Sequence, residues 1–257
     1  MRAKLDELEK IKVGIVNYLN TRPLVYGIEN SPVMKDIIFT GNYPAKLAQQ
    51  LISGEIDLGL VPVAVIPALK ESYINTDYCI GAEGEVASVC IFSDVPIEEA
   101  ETVLMDYQSR TSVALAKLLL KEYWKLSPAI VPTQHDYRPL IKGRTAGLVI
   151  GDRALEQRAK NKYIYDLGAA WKDHTGLPFV FAAWVSTRQL DKDFVSAFNE
   201  ANRFGLTKID EVVHQYDYDI FDLDLYYRKR ISYELNAEKR KGLKLFLSNI
   251  MAVPAQQ

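Results

Sequence analysis

Three segments of the chain share one local pattern, in which an apolar strand runs into a short polar turn and then into a helix. These segments are residues 13–23, 102–112 and 146–153. In α/β proteins, ligands bind beyond the carboxyl ends of the strands, and the free N–H groups of helix N-termini attract anions. Because the three turns are rich in Asn, Ser, Thr and Arg, the sequence predicts a cleft for a small anionic molecule.

Length and charge restrict the kinds of partner that the chain can have. Its 257 residues, 48% of them hydrophobic, suit one large domain or two smaller lobes. The formal net charge is −2 with no basic block, which argues against nucleic acid as the main partner. Residues 1–10 are rich in charge and show no secretory signal, and no apolar run approaches the ~20 residues of a membrane span. We therefore expect a cytoplasmic protein without a membrane partner.

The cysteines and histidines do not suggest a metal site. Cys79 and Cys90 lie in apolar, strand-like surroundings, where free cysteines usually behave as small buried hydrophobic residues. Two isolated cysteines form neither a zinc set nor a disulfide framework. His135, His174 and His214 show no metal-ligand spacing. We expect no bound metal.

The order of patterns along the chain is typical of an α/β protein. Strands and helices alternate between Ile11 and Ser93, which predicts βαβ units and a largely parallel sheet. Pro44 begins a helix, and Gly54 is placed to end it as the C′ residue. Beyond the apolar strand at residues 179–185, mostly helical patterns follow, at residues 194–208, 209–217, 223–231 and 237–250.

Two apolar strands are candidates for crossovers between two lobes, namely residues 87–92 and 179–185. The prediction is an α/β fold in which lobe one comprises residues 11–92 with 184–257, and lobe two comprises residues 93–183. The turn after the first strand would then face the other two turns across a cleft. Domain interfaces are preferred ligand sites.

Residues 13–24, Val-Gly-Ile-Val-Asn-Tyr-Leu-Asn-Thr-Arg-Pro-Leu, resemble the opening of the menaquinone-biosynthesis proteins of the futalosine pathway, in the chorismate dehydratase branch. Further segments agree in order: residues 44–57, 87–93, 109–115, 150–155, 165–168, Trp171 and 175–182. The resemblance implies a type II periplasmic-binding-protein-like fold working as a cytoplasmic enzyme. It also implies the loss of water from chorismate, giving 3-[(1-carboxyvinyl)oxy]benzoate.

This implied substrate carries two carboxylates and a ring hydroxyl, so the site needs two carboxylate subsites, a base, and donors for the departing oxygen. Aromatisation drives the reaction, and we expect no cofactor. Ser109, Thr111 and Ser112 begin a helix and could bind one carboxylate, or serve as a plain N-cap. Arg22 and Arg110 could each bind a carboxylate in bidentate fashion, or lie solvated on the surface.

Polar residues at the other turns complete the expected site. The resemblance favours Asn17 as a partner of the substrate hydroxyl, whereas Asn20 is a substrate-binding or a simple turn residue. Ser88 could meet the second carboxylate or bond to backbone, and Gly151 is expected at the substrate. Asp152 is the most plausible side-chain acid or base, or else a helix cap. Without an obvious His or Glu base, we hypothesise that the enolpyruvyl carboxylate of the substrate removes the ring proton.

One segment departs from the family pattern. Residues 84–88, Gly-Glu-Val-Ala-Ser, stand where the family usually has a Gly-Pro-Val-Gly-Ser type of run. Glu85 would repel a dianion inside the cleft, so we expect it to point to solvent.

Three alternative functions remain. They are a solute-binding protein with the same fold, the sister enzyme that makes dihydroxynaphthoate, and the sensing lobe of a transcription regulator. The missing secretory signal and the lack of room for a DNA-binding motif ahead of Ile11 count against the first and third. A monomer and a homodimer are both compatible with the sequence.

Overall fold

A computed structural model describes residues 10–252 and contains two β-sheets with helices packed around them. The strands are β1 Ile11–Val16, β2 Ile37–Asn42, β3 Leu58–Pro62, β4 Tyr73–Ala82, β5 Val89–Ser93, β6 Thr102–Met105, β7 Ala129–Pro132, β8 Thr145–Ile150, β9 Tyr163–Asp166, β10 Phe179–Ser186 and β11 Ser232–Glu234. The helices are α1 Arg22–Glu29, α2 Pro44–Ser53, α3 Arg110–Glu122, α4 Asp152–Gln157, α5 Leu167–Thr175, α6 Lys192–Leu206, α7 Ile209–His214, α8 Leu223–Leu225 and α9 Ala237–Ala252.

The first sheet has six strands in the order β11-β4-β10-β3-β1-β2. β1 pairs in parallel with β2 and β3, whereas β10 is antiparallel to β3 and β4, and β11 is antiparallel to β4. The prediction of a largely parallel sheet is therefore wrong. The parallel half comes from the βαβ units at the start of the chain, and the antiparallel half forms when the chain returns from the second sheet.

The second sheet has five strands in the order β7-β6-β8-β5-β9, with β5 antiparallel to both of its neighbours. The chain passes from the first sheet to the second between Ala82 and Val89, and returns between Asp166 and Phe179. We call each sheet with its helices a lobe. The division into residues 11–92 with 184–257 and residues 93–183 stays a prediction, and its limits fall inside β5 and β10.

Several local predictions are confirmed because strong sequence signals set them. Pro44 begins α2, and Gly54 follows it with φ 75°, a left-handed conformation that glycine adopts without steric cost. Cys79 and Cys90 are free and fully buried. The segment predicted as a helix at residues 223–231 is helical from Leu223 to Arg230, but α8 passes directly into one wide helical turn, Tyr226–Arg230.

Close helix packing fixes the turn that follows β1. At Gly27 of α1, an added Cβ would lie 2.0 Å from the backbone oxygen of Ala201 in α6. At Gly205 of α6, an added Cβ would lie 1.9 Å from the backbone oxygen of Pro23. The two backbones therefore touch, and α1 holds the end of the preceding turn in one position. Among residues 10–252, no helix combines the length and the apolar character that crossing a membrane requires.

Candidate functional site

A cavity lies between the two sheets, beyond the carboxyl ends of strands from both lobes. Val16, Pro62 and Ile150, the last residues of β1, β3 and β8, all contribute to its lining. Its remaining walls combine apolar side chains, such as Phe181, with hydroxyl and amide groups. In the part of the chain that the structure describes, no side chain that lines the cavity is ionised at neutral pH.

The structure brings five of the ten predicted site residues to this cavity: Asn20, Ser88, Ser109, Ser112 and Gly151. The other five are not part of the lining: Asn17, Arg22, Arg110, Thr111 and Asp152. Asn17 and Arg110 are exposed. Thr111 and Asp152 instead make contacts between the lobes, which are described below.

The turn after β1 is held by one threonine. Thr21 is buried, and its hydroxyl contacts the backbone oxygen of Val16 at 2.7 Å and that of Tyr18 at 2.8 Å. This arrangement closes the turn tightly and directs Asn20 to the cavity. Arg22 follows, with its guanidinium 5.3 Å from the centre of the Tyr216 ring. It therefore stacks on an aromatic side chain of the C-terminal segment.

The turn after β6 presents two hydroxyl groups to the cavity. Ser109 is the N-cap of α3, because its hydroxyl oxygen accepts from the backbone N–H of Ser112 at 3.1 Å. The two serine hydroxyls also lie 3.0 Å apart within hydrogen-bonding geometry. Ser109 is therefore both a helix cap and part of the cavity wall, so the two alternatives from the sequence are compatible.

Three hydrogen bonds close the cleft by joining the lobes. The backbone N–H of Leu19 donates to Asp152 Oδ1 at 3.0 Å, and the backbone N–H of Ala64 donates to Thr111 Oγ1 at 3.0 Å. The hydroxyl of Tyr18 donates to Gln108 Oε1. The Tyr18 ring also covers Gly151, where an added Cβ would lie 3.3 Å from the ring.

Gln108 is held in place by Arg153, which is paired with the buried carboxylate of Asp106. The carboxylate of Asp106 is fully buried, and Arg153 Nη2 donates to it at 2.7 Å and to Gln108 Oε1 at 2.9 Å. Tyr137 donates to the same carboxylate at 2.9 Å. Burial raises the pKa of Asp106, although the Arg153 charge opposes this. These contacts fix the amide that holds Tyr18 across the cleft.

Asp152 lies in a protected but polar position. Burial raises the pKa of its carboxyl above the usual value, against the lowering effect of the Leu19 N–H and of the Arg22 charge. Its Oδ1 atom already accepts the Leu19 hydrogen bond. This geometry makes Asp152 a contact between the lobes at the edge of the cavity.

Ser88 is the last residue of the first crossover between the lobes, which runs between Ala82 and Val89. Its carbonyl oxygen accepts from the Gly151 N–H at 2.8 Å. Its side-chain oxygen accepts from the hydroxyl of Tyr226 at 2.7 Å, in a fully buried contact. The preceding Ala87 has φ 64°, which is unusual for a residue other than glycine.

One carboxylate that the site prediction did not include holds this crossover. Asp166 accepts from the backbone N–H groups of Val86 at 3.1 Å, Ala87 at 2.7 Å and Ala169 at 3.0 Å. Asp166 thus caps α5 and also holds the backbone of the crossover. A helix-capping Asp before an apolar run can be recognised in a sequence. The contact of Asp166 with the crossover and the contact of Tyr226 with Ser88 have no such local sequence signal.

Glu85 does not project freely into solvent, and that expectation is corrected. Its carboxylate lies 3.3 Å from Arg158 and 2.7 Å from Arg230, and about a third of its side chain remains exposed. Two guanidinium groups, one from each lobe, therefore neutralise the Glu85 charge, which was expected to repel a dianion in the cleft. Within residues 10–252, no group of three or more His, Cys, Asp or Glu side chains is arranged to hold a metal ion.

Two α/β lobes that close over a cavity, joined by two crossovers, define the architecture of periplasmic-binding-protein-like proteins. A solved Candida albicans protein with the generic periplasmic binding protein fold is similar over 97% of this chain and 92% of its own, with a TM-score of 0.62 at 10% identity. At that identity the likeness concerns the fold alone.

The chain belongs to the menaquinone biosynthesis family, whose model matches residues 11–251. It is 30% identical to the chorismate dehydratase of Thermus thermophilus, over 91% of this chain and 93% of that protein. It is 26% identical to the chorismate dehydratase of Campylobacter jejuni, over 93% of this chain and 97% of that protein.

Proposed function

We propose that this chain is a cytoplasmic chorismate dehydratase, which eliminates water from chorismate to give 3-[(1-carboxyvinyl)oxy]benzoate on the futalosine route to menaquinone. The observation that carries the proposal is the cavity between the lobes, which combines an apolar wall with serine hydroxyls. An apolar wall suits a six-membered carbon ring, and the hydroxyls suit carboxylates. The similarity to two chorismate dehydratases supports chorismate as the substrate.

In this proposal, Ser109 and Ser112 bind one carboxylate together with the N-terminal N–H groups of α3, which carry partial positive charge. Ser88, on the crossover, donates to the other carboxylate. Asn20 and the backbone at Gly151 complete the polar contacts. None of these contacts requires an ionised side chain, so the substrate is held by dipoles.

The reaction breaks the ring C–H bond beside the ether and the neighbouring C–O bond, and the electrons of the C–H bond form the new ring double bond. We propose that the enolpyruvyl carboxylate of the substrate takes the proton and passes it to the departing hydroxyl, which leaves as water. Asn17 would donate to the departing oxygen. It is exposed in the structure, but it adjoins Val16 and Tyr18, which both line the cavity.

Arg22, Arg110, Thr111 and Asp152 have supporting roles in this proposal. Arg22 and Arg110 would provide positive charge near the path by which a dianion enters. Thr111 and Asp152 would hold the lobes closed over the substrate and keep water out. Asp152 as the base is the competing assignment.

The direct test mixes purified, metal-stripped protein with chorismate and follows the product by ultraviolet absorbance and chromatography. A meta-substituted benzoate, lost in Asn17→Ala, supports the proposal. Asp152→Asn should keep much of the activity if the substrate supplies the base, because an amide oxygen still accepts from Leu19. An Asp152→Asn protein that binds chorismate without converting it would assign the base to Asp152. Binding without any conversion by the unaltered chain would instead favour a binding protein.

A further inference from the structure

Ser88 has a hydrogen-bond partner outside the cavity, on a distant part of the chain. Tyr226 is fully buried at the start of the wide turn Tyr226–Arg230, and its hydroxyl lies 2.7 Å from Ser88 Oγ. The two residues are separated by 138 positions in the sequence. A cavity hydroxyl is thus connected to a side chain that does not line the cavity.

The direction of this bond is fixed when a carboxylate binds. A serine hydroxyl has one proton to donate, and a carboxylate can only accept. When Ser88 donates to a carboxylate, Tyr226 must therefore be the donor to Ser88. The competing acceptor for the Ser88 proton, the backbone oxygen of Val86, lies 3.5 Å away, which is too long for an effective hydrogen bond.

Burial keeps the tyrosine in its donating form. It raises the pKa of Tyr226 well above the usual value, so the phenol retains its proton at every pH at which the protein would work. In a chain of donors that runs from tyrosine to serine to carboxylate, each hydrogen bond polarises the next. The serine proton then becomes a better donor to the carboxylate than that of an isolated hydroxyl.

The segment that carries Tyr226 is itself attached to the first crossover at two further points. Arg230 Nη1 lies 2.7 Å from a carboxylate oxygen of Glu85. Lys239 Nζ, whose side chain is fully buried, lies 2.8 Å from Glu83 Oε1. These ion pairs fix the position of the tyrosine relative to the crossover, so the phenol has a defined position relative to Ser88.

We infer that Tyr226 is a positioning residue, which orients the Ser88 hydroxyl so that its proton is directed to a carboxylate of the bound substrate. The inference rests on the proposed function, since it takes chorismate as the molecule whose carboxylate accepts the Ser88 hydrogen bond. It assigns to the segment at residues 223–252 a role in substrate affinity, although no side chain of these residues lines the cavity.

Tyr226→Phe tests the inference with little change in shape. We expect its KM for chorismate to rise about 5- to 10-fold, the loss of one oriented hydrogen bond, while kcat stays within about twofold because the contact is the same in the bound substrate and the transition state. Tyr227→Phe is the matched control. Tyr227 is 1% exposed, and its hydroxyl has no partner among the described residues, so its KM should not change.

A second comparison separates positioning from a general packing effect. In a Ser88→Ala background, Tyr226→Phe should raise KM no further, because the hydroxyl that it orients is gone. Equal KM increases in both backgrounds would overturn the inference, and so would an unchanged KM in Tyr226→Phe alone. If the unaltered chain neither converts nor binds chorismate, the proposed function fails first and the inference fails with it.

Discussion

Replacing Asp166 with alanine tests how the first crossover is held. In the structure, the Asp166 carboxylate accepts from three backbone N–H groups, at Val86, Ala87 and Ala169. Val86 and Ala87 are 1% and 0% exposed, so their N–H groups have little access to water. Ala169 is half-buried at the start of α5, where water can replace a lost cap more easily.

The expected cost follows from these three donors. A buried donor left without a partner costs about 1–3 kcal/mol, and losing a helix N-cap costs ~1 kcal/mol. Two buried donors at the low end of that range, together with the cap, give about 3 kcal/mol for Asp166→Ala. For a chain of this size, 1 kcal/mol lowers Tm by about 2–4 °C. The expected drop in Tm is therefore about 6–12 °C.

Urea denaturation followed by circular dichroism measures the free energy of unfolding directly, with Asp191→Ala as the matched control. Asp191 also caps a helix, accepting from the N–H groups of Asp193 at 2.9 Å and Phe194 at 3.1 Å, but in an exposed position. The control should lose only ~1 kcal/mol. If both variants lose the same amount, Asp166 acts only as a helix cap, and the argument for anchoring the crossover is refuted.

Three further perturbations test the crossover at Ala87, the contact between the lobes at Thr111, and the buried carboxyl of Asp152. Ala87, at φ 64°, bears a steric cost of about 1–2 kcal/mol that glycine lacks. The relief of this cost should offset the usual loss on changing alanine to glycine, so Ala87→Gly should leave the free energy of unfolding within about 0.5 kcal/mol. The control Ala146→Gly in β8, which relieves no such cost, should lose about 1.5 kcal/mol in urea denaturation. Thr111→Val removes the acceptor for the Ala64 N–H and should raise the KM for chorismate about fivefold; an unchanged KM would argue against closure through this bond. Burial raises the pKa of Asp152 above 3.8, so the folded protein binds this proton more tightly than the unfolded chain. The stabilisation that the bound proton contributes is complete below pH 3.8 and is lost as the pH rises through the raised pKa. The stability of the unaltered chain relative to Asp152→Asn should therefore fall as the pH rises from 3.8 through the raised pKa, and a rise would contradict this assignment.

Local signals in the sequence predicted the parts of the fold that depend on neighbouring residues. Proline at a helix start and glycine at a helix end gave α2 with its correct limits. Only the part of β4 around Cys79 was predicted as strand-like, because the first half of β4 contains Asn and Asp and is mostly not buried. Its strand character depends on pairing with β10, which lies about a hundred residues further along the chain. No local pattern carries that information.

The same division applies to the candidate site. The strand-turn-helix pattern led to Ser109, Ser112 and Gly151, which reach the cavity because a strand end and a helix start fix their positions. The pattern could not distinguish Thr111 from its neighbours, although helical geometry turns its hydroxyl to Ala64 in the other lobe. Nor could it reveal Tyr226, whose contact with Ser88 exists only in the folded chain.

The absence of ionised side chains from the lining, within residues 10–252, bears on the choice of base. A guanidinium paired with the enolpyruvyl carboxylate would stabilise its charged form and lower its pKa, which would make it a weaker base. Hydroxyl and backbone N–H donors also lower the pKa of a carboxylate, but they place no full positive charge beside it. Asp152, by contrast, already uses one oxygen to join the lobes. If the cavity binds a dianion through dipoles, as we propose, this arrangement favours the substrate carboxylate over Asp152 as the group that takes the ring proton.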